Sequence, residues 1–159
     1  MKTGLVYFSY EGNCAFVAEQ INAVVHGDVL ALKLEDGKER KGLAKYVWGG
    51  RQVLQNQRPA LKPYTFDGAA YDLIIIGTPV WAGSPAPAME TFLEQTRITG
   101  KKATLFCCCA GGKGRVFDKL KKSLAGNTFA GEIAFINPLK QDAGALAAEV
   151  RAWVEGVLG

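Results

Sequence analysis

The chain has 159 residues, of which 48% are hydrophobic and 21% are charged. This length suits one domain, and the apolar content allows a buried core and excludes a disordered chain. Apolar runs such as residues 73–76 are far too short to cross a bilayer, and the first residues show no signal-cleavage pattern. We therefore expect one soluble, cytoplasmic domain over residues 1–159, with no membrane partner.

The formal net charge of +4 raises the question of an anionic partner. Eight Lys or Arg residues lie between Lys33 and Lys62, and eight more lie between Arg97 and Lys122. No nucleic-acid motif or interleaving of aromatic and basic residues accompanies them. We interpret them as solvated helix faces and expect no nucleic-acid partner. A basic edge that attracts an acidic protein stays open.

The four cysteines do not form a metal-binding pattern. Cys14 stands alone, whereas Cys107, Cys108 and Cys109 are consecutive. Successive residues of a strand point in opposite directions, so three in a row cannot surround a metal tetrahedrally. The single His26 leaves no second imidazole. We predict no metal site and reduced thiols that pack as small apolar residues.

Apolar runs alternate with helical patterns along the whole chain. The runs predict five strands, at residues 4–8, 29–34, 71–77, 103–108 and 130–136. Apolar residues at helical spacing predict helices at residues 14–25, 88–95, 116–124 and 143–158, with a less regular helix around 42–55. Residues 78–87 are predicted as a loop. This alternation predicts an α/β fold, a three-layer α/β/α sandwich around a parallel sheet.

Three loops leave the carboxyl ends of predicted strands, where open parallel sheets bind their ligands. They cover residues 9–14, 78–84 and 109–114. The first loop leads into a helix N-terminus, where free N–H groups and the helix dipole favour an anion. The Ser9 hydroxyl and the Asn13 amide suit a phosphate there. An ordinary turn capped by Asn13 is the alternative.

The other two loops suit a flat ring. Trp81 is flanked by glycine and proline, so we expect it at the mouth of the sheet, where a ring can stack on it; a buried core tryptophan is the alternative. Residues 109–114 are rich in glycine and can bring backbone N–H groups close to a ring edge, although a plain connector would look similar. Neither a dinucleotide fingerprint nor a P-loop is present, so those two nucleotide sites are not expected.

Together the three loops resemble those of the flavodoxin family, and the resemblance extends from about Lys2 to Leu158. Residues 7–14, Tyr-Phe-Ser-Tyr-Glu-Gly-Asn-Cys, are similar to the family's Ser/Thr-x-Thr-Gly-x-Thr phosphate loop. Residues 77–81, Gly-Thr-Pro-Val-Trp, look like the loop that packs an aromatic ring against the flavin, and residues 109–112 look like the third loop.

This resemblance implies non-covalent FMN at the carboxyl edge of a five-stranded parallel sheet of order 2-1-3-4-5. The first loop would hold the phosphate, Thr78 and Pro79 would lie near the ribityl chain, and Trp81 would stack on the isoalloxazine. The cofactor-binding residues that it implies are Ser9, Tyr10, Glu11, Gly12, Asn13, Cys14, Thr78, Pro79, Val80, Trp81, Ala82, Gly83, Cys109, Ala110, Gly111 and Gly112.

Two positions of the phosphate loop depart from the family pattern. Glu11 stands where a threonine is usual, and its carboxylate beside a phosphate would cost on the order of 1–4 kcal/mol. Cys14 replaces the closing threonine with a weak hydrogen-bond donor. The net basic charge is a third departure, since electron-carrying flavodoxins are typically acidic.

The resemblance implies an electron carrier that works through FMN and exchanges electrons with redox protein partners. The alternative is an FMN-dependent NAD(P)H:quinone or flavin reductase, in which the cofactor again supplies the chemistry. A second subunit often completes the space over the flavin of such an enzyme, so a homodimer stays open. A flavodoxin-like module without cofactor is the third reading, and Glu11 is the main reason for it.

Overall fold

The computed structural model describes residues 1–37 and 43–159. Residue 42, the predicted start of the second helix, lies outside the described residues. The strands are β1 Thr3–Phe8, β2 Asp28–Leu32, β3 Leu73–Trp81, β4 Ser84–Pro85, β5 Lys102–Cys109 and β6 Thr128–Ile136. The α-helices are α1 Asn13–Val25, α2 Leu43–Leu54, α3 Pro87–Gln95, α4 Val116–Ser123 and α5 Ala143–Leu158.

The five long strands form one parallel sheet in the order β2-β1-β3-β5-β6. The short β4 lies off this path and pairs antiparallel with the end of β3. With β4 set aside, the order is the predicted 2-1-3-4-5, and the fold prediction is confirmed. Each parallel connection carries a helix across a face of the sheet, which gives the three layers.

The central strand β3 is apolar at consecutive positions because both of its faces are covered. Ile74 and Ile76 pack in the core beneath α3 and α4, whereas Leu73 and Ile75 pack in the core beneath α1 and α5. At Gly77 a Cβ would lie 2.0 Å from Cζ of Phe106, so glycine there is what lets the phenyl ring pack across the strand. The two cores hold the sheet rigidly beneath its carboxyl edge.

The segment predicted as a loop at residues 78–87 is more regular than expected. Strand β3 continues to Trp81 and turns through Ala82 and Gly83, and Trp81 pairs with Ser84. Ala82 and Gly83 have φ of 49° and 70°, the positive values of a type I′ hairpin turn. The usual sequence signal for that turn, Asn-Gly or Asp-Gly, is missing here, which is why the hairpin was not predicted.

In the part of the chain that the structure describes, we find no helix with both the length and the apolar character needed to span a bilayer. All four cysteines are buried and free of disulfide bonds, as their interpretation as small apolar residues predicts.

Candidate functional site

A cleft of about 570 Å³ opens at the carboxyl edge of the sheet. The loops after β1, β3, β5 and β6 converge on it because the carboxyl ends of parallel strands share one edge. Eleven of the predicted site residues line it: Ser9, Tyr10, Glu11, Asn13, Cys14, Pro79, Val80, Trp81, Ala82, Cys109 and Ala110. The three predicted loops therefore meet at one site.

The other five predicted residues lie close by but do not line the cleft. Gly12 sits between lining residues at the start of α1, and Gly83 is in the hairpin turn. Thr78 is fully buried, and its hydroxyl donates to the Pro79 carbonyl at 2.9 Å and accepts from the Ala86 N–H at 3.0 Å. Gly111 and Gly112 are exposed. A contact of these five residues with a cofactor stays a prediction.

The first loop offers unused hydrogen-bonding capacity. The N-cap of α1 is Gly12, with φ of 102°, and no side chain in the described part of the chain caps the helix. The Asn13 side chain instead accepts from the Leu139 N–H at 3.2 Å, so the alternative of a turn capped by Asn13 is wrong. The Ser9 hydroxyl is buried and has no hydrogen-bond partner among the residues that the structure describes. A buried orphan hydroxyl beside an uncapped helix N-terminus is suited to an anionic ligand.

The negative charge of the Glu11 carboxylate, which lines the cleft, is balanced by a neighbouring cation. Lys45, which α2 contributes to the cleft wall, forms a salt bridge with it. The Lys45 side chain is only 17% exposed, whereas that of Glu11 is 51% exposed. Lys140 is a further charged lining residue, so the lining groups that the structure describes carry a net positive charge.

Aromatic rings form one wall of the cleft. The ring of Trp81 lies 5.7 Å from that of Tyr10 and 5.4 Å from that of Trp48, both edge-on, and 5.9 Å from the Phe8 ring below it. Helix α2 approaches the indole closely because Gly49 has no side chain: a Cβ there would lie 3.3 Å from Cε3 of Trp81. The Trp-Gly-Gly run that interrupts the helical pattern is thus where the helix meets the cleft.

Buried thiols contribute to the cleft lining beside the first loop. Cys14, Cys108 and Cys109 reach the cleft. Burial raises the pKa of the Cys14 thiol well above its usual value, and hydrogen bonding to Cys108 adds to the effect. Burial also raises the pKa of Cys109. Because a raised pKa keeps these two thiols protonated at neutral pH, neither places a negative charge or a reactive thiolate in the site.

Sequence reasoning missed seven lining residues: Lys45, Gly49, Gly50, Cys108, Asn137, Leu139 and Lys140. The last three follow β6, whose carboxyl end lies at the same edge of the sheet, so their position after a predicted strand was the signal for them. Asn137 holds the third loop, since its backbone N–H donates to the Cys109 carbonyl at 2.9 Å and its side chain to the Ala110 carbonyl at 3.3 Å. Nothing in the sequence pointed to Lys45.

The site thus joins two different chemistries in one cleft. Its lining presents an orphan hydroxyl, a helix N-terminus and a net positive charge, together with indole and phenol rings. This combination fits a ligand that has a phosphate at one end and a flat aromatic system at the other.

Comparison with known proteins agrees with this arrangement. The family model for flavodoxin matches residues 2–157, so the chain belongs to the flavodoxin family. A sequence comparison with curated proteins finds no match.

Solved structures share the fold. A Lactobacillus acidophilus flavoprotein in complex with FMN is 26% identical, with a TM-score of 0.71 over 84% of this chain and 92% of that one. A Bacteroides eggerthii protein classed as a flavoprotein is 23% identical, with a TM-score of 0.78 over 99% of this chain and 98% of that one. Two-electron reduced Megasphaera elsdenii flavodoxin is 20% identical, with a TM-score of 0.56 over 94% of this chain and 98% of that one. The last two show likeness of fold alone.

Proposed function

We propose that the chain binds FMN non-covalently in this cleft and serves as an electron carrier. The observation that carries the proposal is the orphan Ser9 hydroxyl at the uncapped start of α1, in the same cleft as Trp81. The 26% identical Lactobacillus acidophilus flavoprotein, solved with FMN, supports the choice of cofactor. FMN, when bound, supplies the capacity to accept and release electrons.

The chain's own residues would hold and orient the cofactor. Ser9 and the first N–H groups of α1 would donate to the phosphate, and the salt bridge between Lys45 and Glu11 would keep the carboxylate from repelling it. Trp81 would flank the ring system and exclude water from one side. The protonated thiols would keep the adjoining wall neutral, so that no fixed negative charge opposes the gain of electrons there.

A reductive titration tests both halves of the proposal. The purified chain is mixed with FMN, freed of excess, and its absorption spectrum is recorded during anaerobic addition of dithionite. We expect one FMN per chain and reduction in two resolved one-electron steps. Reduction in a single two-electron step would contradict a one-electron carrier, and failure to retain FMN would contradict the assignment of the cofactor.

A second arm of this experiment addresses the reductase alternative. NADH or NADPH alone, at saturating concentration, is added to the FMN-loaded chain. We expect slow reduction of the flavin, because an electron carrier is reduced by a protein partner. Reduction within seconds followed by turnover with a quinone would replace the carrier proposal with the reductase.

A further inference from the structure

One segment of ten residues, which includes most of helix α4, is strongly basic. Residues 113–122 contain five Lys or Arg residues and one Asp, which equals the chain's net charge of +4. The remaining residues hold 14 cations and 14 carboxylates and are therefore neutral overall. A charge excess this local produces a directed field at one part of the surface.

The fold turns this segment into an exposed face. Helix α4 buries Val116, Phe117 and Leu120, so its charged residues point outward. We call four exposed cations the basic face: Lys113, Arg115, Lys119 and Lys122.

These four cations are available for a partner. None of them forms a salt bridge with a carboxylate in the described parts of the chain, whereas Lys121 on the same helix pairs with Glu132. The Lys119 ammonium donates to the Ser84 hydroxyl, and the Lys113 ammonium lies 5.4 Å from the centre of the Phe117 ring. Asp118 on α4 and Glu90 beside Lys119 border the face, and these two carboxylates do not cancel four cations.

The basic face adjoins the cleft through the β3–β4 hairpin. The Arg115 N–H donates to the Gly83 carbonyl at 2.9 Å. Gly114, with φ of 52°, comes so close to the turn that a Cβ there would lie 2.5 Å from the Gly83 Cα. Because Trp81 and Ala82 on the same hairpin line the cleft, a partner on this face would lie beside the cleft mouth.

We propose that the basic face docks an acidic redox protein, so that one electron passes from the reduced cofactor to the partner's redox centre, or in the reverse direction. The inference rests on the proposed function. Complementary charge steers encounter and orients the partner while the contact stays short-lived, as repeated electron exchange requires. The chain shows no nucleic-acid motif, and the position beside the cleft mouth favours a redox protein over a phosphate polymer.

Charge reversal at matched positions tests the docking surface. One variant carries Lys113→Glu, Arg115→Glu and Lys122→Glu; the control carries Lys33→Glu, Lys62→Glu and Arg97→Glu, three exposed cations away from α4. The probe is an acidic [2Fe–2S] ferredoxin, and binding is measured by biolayer interferometry at low ionic strength. We expect affinity to fall about tenfold or more in the first variant and far less in the control. The same substitutions to Gln, which disturb folding less, should give a smaller loss in the same order.

Binding is measured with and without FMN, so the docking surface is tested even if the cofactor assignment fails. With FMN bound, the electron-transfer rate of the native chain should fall as ionic strength rises, because salt screens the attraction. Equal loss in both triple variants would overturn the proposal, since it would show an effect of net charge alone. Tighter binding to duplex RNA or to phosphatidylglycerol vesicles, with the same dependence on the variants, would also overturn it.

Discussion

The ammonium group of Lys45 on α2 forms a salt bridge with the carboxylate of Glu11 in the loop after β1. The salt bridge connects two elements that line the cleft. Glu11 stands where the flavodoxin pattern has an uncharged threonine. The salt bridge therefore explains how a carboxylate is accommodated near the N-terminus of α1. This ion pair is absent from the usual flavodoxin loop pattern, and its effect on ligand affinity can be measured.

Lys45→Gln should weaken FMN binding about tenfold, because it leaves the Glu11 carboxylate uncompensated beside the phosphate in a partly exposed site. Glu11→Gln should have the opposite effect, since it removes a negative charge from the neighbourhood of the phosphate. The dissociation constant is measured by quenching of flavin fluorescence. Riboflavin, which lacks the phosphate, is the matched control ligand, and an equal loss of riboflavin affinity in Lys45→Gln would contradict the electrostatic explanation.

Ser9→Ala should separate ligand binding from folding. The buried Ser9 hydroxyl has no partner in the described parts of the chain, so its removal breaks no hydrogen bond there. The FMN-free variant should therefore unfold at the same or a higher urea concentration. FMN affinity should nevertheless fall about tenfold, the worth of one hydrogen bond to a charged group. A variant that loses stability without FMN would show that the hydroxyl has a structural partner, and the phosphate role would fall.

The sheet was predictable because its signals are local. Strands β3 and β5 are apolar at consecutive positions, and α5 carries Leu146, Val150, Val154 and Val157 on one buried face. The approach of Lys45 to Glu11 could not be predicted, since it depends on where α2 lies relative to a loop 34 residues earlier in the chain. The hairpin after β3 was missed for a different reason: Ala82 adopts a backbone conformation that its residue type disfavours.

Gly49 and Gly50 form a matched pair of substitutions in α2. Gly50→Ala should stabilise the FMN-free chain by about 1 kcal/mol, because no described atom outside the helix's own backbone lies within 4 Å of the new methyl group and alanine favours helix. Gly49→Ala should gain less or lose stability, because its methyl group would press on the Trp81 indole. Urea unfolding gives the stabilities, and near-ultraviolet circular dichroism should change in Gly49→Ala alone. An identical gain in both variants would show that the indole is not held by this contact.

Substitutions at Ala82 and Gly83 test whether the backbone of the turn at the cleft mouth is strained. An alanine in the left-handed region costs about 1 kcal/mol, so Ala82→Gly and Ala82→Asn should raise the free energy of unfolding by about 0.5–1 kcal/mol. Asparagine is the better test, because it creates the Asn-Gly sequence that type I′ turns prefer. Gly83→Ala should destabilise the chain by a similar amount. If Ala82→Asn lowers stability, the turn is not of this type in solution.

Glu90 should make the free energy of unfolding depend on pH, in a direction that follows from the shift of its pKa. Burial between α3 and α4 raises the pKa of its carboxyl, although Arg58 and Lys119 oppose the shift. A raised pKa means that the folded chain holds this proton more tightly than the unfolded chain. The stabilising effect is therefore complete below about pH 4 and is lost as the pH rises through the folded pKa.

Glu90→Gln stays neutral at every pH, so its stability relative to the native chain should increase from about pH 4 to pH 7. Glu149→Gln on α5, an exposed carboxyl, is the control. The measurement is urea unfolding of the FMN-free chain at several pH values. A difference between Glu90→Gln and the native chain that shrinks with rising pH would mean that the Arg58 and Lys119 charges outweigh burial, and the packing of Glu90 against α4 would then need another explanation.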